Sequence, residues 1–143
     1  MRPGTVIHDP SFEFHDSSEP GNKILIVLND APTLNNVYLI AKTTSNPAYK
    51  QEINGCNLND KYPNFFIPQG KCLLNENTWV LLNEFYEFTY NDWLGKFFKE
   101  RDVRELGCLP IDIFKELIEC SIRSEDISFI QEESLKETLK TLS

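Results

Sequence analysis

Residues Thr78 to Phe98 read TWVLLNEFYEFTYNDWLGKFF, and the hydrophobic period changes inside this stretch. Thr78 to Leu82 is a short aliphatic and aromatic run. It continues through Asn83 to Phe88, where Phe85 and its neighbours alternate with polar residues at the period of two expected of a strand. From Tyr90 the spacing is helical. Trp93, Leu94, Phe97 and Phe98 fall at i, i+1, i+4 and i+5, with Asn91 placed as an N-cap. The switch near Tyr90 predicts a β-rich first part and a helical last third.

Working upstream, Ile24 to Leu28 is a continuous aliphatic run, the pattern of a strand buried on both faces. Val37 to Ala41 is a second β-type run, which exits through Lys42-Thr43-Thr44-Ser45 to Pro47. Val6-Ile7 and Phe65-Phe66-Ile67 read as short strands, and residues 9–22 and 48–64 as loops. Downstream, Pro110 opens a helix with Ile111, Phe114, Leu117, Ile118 and Ile122 on one face. Ser124-Glu125-Asp126 reads as the start of a last helix. Strands followed by helices predict an α+β chain: a small, mostly antiparallel barrel over residues 1–89 and a helical extension over 90–143 packed on it as one domain.

The chain has 143 residues with 41% hydrophobic and 25% charged, a globular composition. No stretch approaches the roughly 20 apolar residues of a membrane span. The N-terminal MRPGTVIHDP has no apolar signal region, so a cytoplasmic location without membrane contact is expected. Cysteines at 56, 72, 108 and 120 have no CxxC pairing, and the histidines are His8 and His15. That pattern predicts no metal site and four free thiols. The formal charge of −8 excludes a general nucleic-acid binder. Residues 1–70 nevertheless hold 5 Lys/Arg against 7 Asp/Glu, and residues 71–143 hold 9 against 15, so a local cationic groove fits the first half.

The order of motifs resembles the PemK/MazF family of toxin endoribonucleases. The matching segments are Arg2-Pro3-Gly4-Thr5-Val6-Ile7, then Gly21-Asn22-Lys23-Ile24 through Asn29-Asp30, then Ala41 to Ser45. Phe66-Ile67-Pro68, Thr78 to Glu84 and Leu106-Gly107-Cys108-Leu109 follow, so that residues 2–122 are covered. The resemblance implies an SH3-like barrel with C-terminal helices. It also implies metal-independent cleavage of single-stranded RNA without a cofactor, an acidic antitoxin-type protein partner, and a homodimer.

By position, the family's catalytic arginine falls on Lys23 and its threonine on Thr44, with Ser45 beside it. Such chemistry needs a cation and hydrogen-bond donors around a phosphorane-like oxyanion, close to the attacking 2′-hydroxyl. Lys23 supplies charge without the bidentate fork of arginine, and Ile24 stands where the family prefers proline. His15, in the loop before Lys23, is a candidate general base or else an exposed loop histidine. Tyr86 is a candidate for stacking on a base or else a core aromatic. Glu84 would repel RNA.

Paired with Asp9 and Asp16, the histidines hint at a helical HD phosphohydrolase, which a β-rich half excludes. A gyrase poison of the related barrel toxins would need a terminal tryptophan, and this chain ends Lys140-Thr141-Leu142-Ser143. The remaining alternative is a non-catalytic module of the same fold that binds a protein through its loops and acidic helices.

Overall fold

The computed structural model describes residues 1–12, 21–30, 37–95 and 103–142, with the backbone alone at 93 and 94. The strands are β1 (Thr5–Phe12), β2 (Gly21–Val27), β3 (Tyr38–Thr44), β4 (Gly55–Asn57), β5 (Asn64–Ile67), β6 (Thr78–Phe88) and β7 (Arg104–Cys108). The helices are α1 (Tyr90–Leu94), between β6 and β7, then α2 (Ile111–Ile122) and α3 (Phe129–Thr141). All strand pairs are antiparallel, in the order β4-β5-β6-β3-β2-β1-β7. The fold is therefore α+β. Among the described residues the ladder runs as an open order with β4 and β7 at its edges, and the barrel closure expected from the sequence is not among its pairings.

The sheet is buried on both faces, which is why Ile24 to Leu28 is aliphatic without a break. Ile26 and Leu28 point to one side, where they meet Leu39, Ala41, Val80, Leu82 and the apolar faces of α2 and α3. Leu25 and Val27 point to the other, with Ile7, Phe12, Tyr38, Ile40, Tyr86 and Val103. The period of two thus sorts neighbouring residues into two separate cores.

Strand β6 changes face within its length. Val80 pairs with Thr43 but Phe85 pairs with Ala41, so three extra residues of β6 are taken up between those two pairs. An irregularity of this kind bends the strand and re-aims its side chains. Here it turns Glu84 and Tyr86 toward the second face, where Lys42 lies.

Several sequence expectations are corrected. β1 runs to Phe12, beyond the expected Val6-Ile7, because Asp9 is buried and anchors the turn by accepting from Ser11 N at 3.0 Å. The expected loop at 48–64 contains β4. The last third is not purely helical, since β7 pairs with β1. Its residues are mostly exposed, and Gly107 at φ 144° interrupts their alternation, which hides a strand from a pattern reading. α1 is capped by Thr89 with Asp92 rather than by Asn91, and α3 by Ser128 with Gln131 rather than in the Ser124 turn. Of the stripe expected after Tyr90, Phe97 and Phe98 lie outside the described residues.

The largest correction concerns the cysteines. Cys56 of β4 and Cys120 of α2 form a disulfide, while Cys72 and Cys108 are free thiols. The spacing of 64 residues gave no local sign of it, and only the packing of α2 against β4 brings the pair together.

Asn29 ties sheet to helix. Its amide donates to Val37 O at 2.9 Å and Ser134 Oγ at 2.8 Å, and its Oδ1 accepts from Leu39 N at 2.7 Å. The residue is buried. Asn29→Ala should cost about 1–3 kcal/mol, because it orphans the buried Leu39 N–H. A chemical melt indistinguishable from wild type would contradict this.

Candidate functional site

Lys23 sits near the start of β2, where Asn22 alongside it meets the His8 ring through its side-chain oxygen. The β2–β3 register pairs Leu25 with Lys42 and Val27 with Ile40. Continued two residues toward the strand ends, it sets Lys23 across from Thr44 on the same face of the sheet. Two hydrogen bonds hold this end of the ladder. Lys23 Nζ donates to Thr43 O at 3.1 Å, and Thr43 Oγ1 donates to Ile24 O at 2.9 Å. Thr43 is buried and Thr44 is half-buried, as strand alternation requires.

The Lys23 ammonium is half-buried. Desolvation, followed by the charges of Lys42 and Lys50, lowers its pKa below the usual lysine value of 10.5. Lys42 behaves in the opposite way. Burial works to lower its pKa, but the hydrogen bond and charge of Glu84, together with the Tyr86 hydroxyl, outweigh that and raise it. Its Nζ lies 2.7 Å from Glu84 Oε1 and 5.7 Å from the centre of the Tyr86 ring. The two ammonium groups thus differ in the direction of their shifts: Lys42 is held protonated beside Glu84, and Lys23 gives up its proton more easily than an ordinary lysine.

Thr44 Oγ1 accepts from Asn46 N at 3.1 Å, which leaves the hydroxyl proton as a donor. Ser45 is exposed just beyond the end of β3, and the alternation turns it away from Thr44. Tyr86 is 3% exposed, with its ring edge-on to Phe12 at 4.8 Å. Of its two readings, burial in the second core supports the core aromatic, with Lys42 over the ring. His15 lies outside the described residues.

The loops that follow β3 carry a second cationic feature. Residues 42–71 carry Lys42, Lys50, Lys61 and Lys71 against Glu52 and Asp60, a balance of +2 in a chain of −8. Tyr49 is 66% exposed, and its ring meets that of Tyr62 at 5.9 Å. Lys61 Nζ lies 4.1 Å from the Tyr49 ring centre, and Lys50 Nζ lies 5.5 Å from that of Tyr62. The signal was present as Tyr49-Lys50 and Lys61-Tyr62, basic and aromatic residues interleaved in a stretch read as patternless.

A cavity of about 460 Å³ lies elsewhere, between α3 and the β2–β3 end of the sheet. Its described lining includes Asp30, Glu87, Glu133 and Glu137 and no lysine or arginine, so it repels phosphate. The cationic face, not this carboxylate-lined cavity, is the candidate site. Among the described residues no helix is long and apolar enough to cross a membrane. No protein-family model matches the chain, and no curated protein matches it either.

Proposed function

We propose that the protein acts on single-stranded RNA as a metal-independent endoribonuclease of the PemK/MazF type. The observation that carries this reading is Lys23 itself: a half-buried ammonium of lowered pKa that donates to Thr43 O, where the β2–β3 register, continued two residues, sets the Thr44 hydroxyl opposite. In the proposed reaction the 2′-oxygen bonds to phosphorus and the P–O5′ bond breaks. Lys23 balances charge on the non-bridging oxygens and gives a proton to the departing O5′, while the 2′-hydroxyl proton passes to solvent hydroxide. Thr44 orients the phosphate.

The finer fold reading, an SH3-like barrel, is supported by the bend in β6, which pairs with both β5 and β3. A homodimer would use the strand edges, as paired edges do in closed assemblies. An acidic antitoxin-type partner fits the Lys50–Lys61 side of the molecule and not the carboxylate-lined cavity.

The test is a labelled single-stranded RNA of mixed sequence, incubated with the protein in excess EDTA. Fragments ending in a 2′,3′-cyclic phosphate are expected. No cleavage from neutral to alkaline pH, with or without added magnesium, overturns the reading. One observation favours the alternative, a non-catalytic binding module: Glu84 places a carboxylate against Lys42, the residue that pairs with Leu25 on β2. Under that reading a partner is bound and RNA is not cut.

A further inference from the structure

We propose that Tyr49 and Tyr62, with Lys50 and Lys61, form a platform on which one unpaired base of a single-stranded RNA stacks while its flanking phosphates meet the two ammonium groups. The inference rests on the RNA reading above and adds a binding subsite beyond Lys23 and Thr44.

The turn that presents Tyr49 is built at a conformational cost. Lys50 N donates to Pro47 O at 3.1 Å, closing a four-residue turn with Tyr49 at its third position and φ of 61°. This is the left-handed region that glycine or asparagine normally fills in such turns, and an L side chain there is disfavoured by about 1–2 kcal/mol. A bulky aromatic kept in a strained, exposed position makes no core contact that would account for it. Strain of this kind clusters where a side chain must be presented.

The surroundings hold the ring in place. Ala48 N donates to Asn46 Oδ1 at 3.1 Å, and Asn46 N to Thr44 Oγ1, so the turn is chained to Thr44. Lys50 Nζ donates to Ala48 O at 2.6 Å. Gln51 is fixed on three sides: its N–H and side-chain amide donate to Asp60 at 3.2 and 2.9 Å, and its carbonyl accepts from Trp79 Nε1 at 2.9 Å. Asp60 also accepts from Asn64 at 2.9 Å, so its carboxylate is engaged within the loops. The 47–50 turn and the 58–62 loop are thereby locked together with their rings edge to face.

Lys61 Nζ stands over the Tyr49 ring and Tyr62 meets it at a steep angle, yet Tyr49 keeps 66% of its surface exposed, enough for a planar partner to reach the pair. Aromatic rings with interleaved ammonium groups suit single-stranded nucleic acid, whose bases offer π-faces and whose backbone offers charge. The hydrogen bonds from Ala48 N to Asn46 and from Asn46 N to Thr44 Oγ1 link the platform to the end of β3. A strand stacked on Tyr49 would therefore continue toward Lys23 and Thr44.

The experiment uses the full chain and a fluorescein-labelled 2′-O-methyl RNA dodecamer of mixed sequence, which cannot be cleaved through its 2′-position, read by anisotropy. Wild type should bind with affinity that falls as salt rises. Tyr49→Gly should weaken binding about ten-fold or more, as expected for one lost base stack. Its melting temperature should match or exceed that of wild type, since glycine relieves the strained φ. Tyr49→Phe, which keeps the ring, should bind like wild type. Lys61→Gln should weaken binding and reduce the salt slope by about 1.

Equal binding by wild type and Tyr49→Gly, or no binding by wild type, overturns the platform, as does equal loss in Tyr49→Phe and Tyr49→Gly. The two readings separate cleanly. Loss of binding in Tyr49→Gly with no cleavage of unmodified RNA by wild type leaves the platform and removes the nuclease. Cleavage by wild type with unchanged binding in Tyr49→Gly does the reverse.

Discussion

Lys23→Ala should lower RNA cleavage about 10²- to 10³-fold, the loss expected when one preorganised charge-stabilising donor is removed. Its fold should survive. The pKa of Lys23 is lowered because burial and then the neighbouring lysines disfavour its charge, so the ammonium does not stabilise the folded state. The sign follows from linkage. A lysine whose folded pKa lies below its unfolded value disfavours folding while it is protonated, and that penalty fades as pH rises through the window below 10.5. Removal of the side chain relieves that penalty but gives up the hydrogen bond to Thr43 O, itself worth about 0.5–1.5 kcal/mol, so the two effects oppose each other and the net change in stability should be small.

The same shift predicts the pH profile. Cleavage needs the protonated ammonium, so kcat/KM should fall on an alkaline limb centred below the ordinary lysine value. Lys23→Arg should retain activity and abolish that limb, because guanidinium does not deprotonate in this range. Rates of Lys23→Ala equal to wild type, or an alkaline limb unmoved in Lys23→Arg, would remove Lys23 from the chemistry. A Lys23→Ala protein that melts much earlier than wild type would make the residue a structural one instead.

The other large effect belongs to the disulfide. Cys56 and Cys120 are separated by 64 residues, and closing a loop of that length in the unfolded chain stabilises the fold by about 4 kcal/mol in the chain-entropy account. Breaking the bond, by a reducing agent or in the Cys56→Ser/Cys120→Ala double variant, should lower Tm by roughly 10 °C. The double variant should then be indifferent to reductant. Thiol titration of the denatured, unreduced protein should count Cys72 and Cys108 alone, and full reduction should add the other pair. Coincident melts of oxidised and reduced protein would overturn this account.

The disulfide also bears on the geometry of the candidate site. β4 is a three-residue edge strand, and its pairing with β5 is short. The bond fastens β4 to α2, and the loop that carries Tyr49 and Gln51 leads directly into β4. Reduction should thus loosen the Tyr49 platform before it disturbs β2 and β3, where Lys23 and Thr44 are held by the central ladder.

What the sequence determined by itself is what local periodicity encodes. Ile24 to Leu28 declared a strand buried on both sides, because polar residues would have been needed on either face had it met water. Thr78 to Phe88 declared the longest strand, and Pro110 the start of α2, because proline's fixed φ suits a first helical turn. The alternation of Thr43 and Thr44 was also legible, since a period of two leaves no other arrangement.

Tertiary structure alone decided the rest. β7 has no apolar alternation, and it exists because β1 offers it a ladder. Tyr86 and a solvent-facing tyrosine are alike as letters; the irregularity within β6 sends this one into the second core and brings Glu84 to Lys42. Cys56 meets Cys120, and Tyr49-Lys50 meets Lys61-Tyr62, only because residues far apart in the chain are packed together. Periodicity is a property of neighbours along the chain, whereas a charge pair, a disulfide or a stacking platform is a property of neighbours in space.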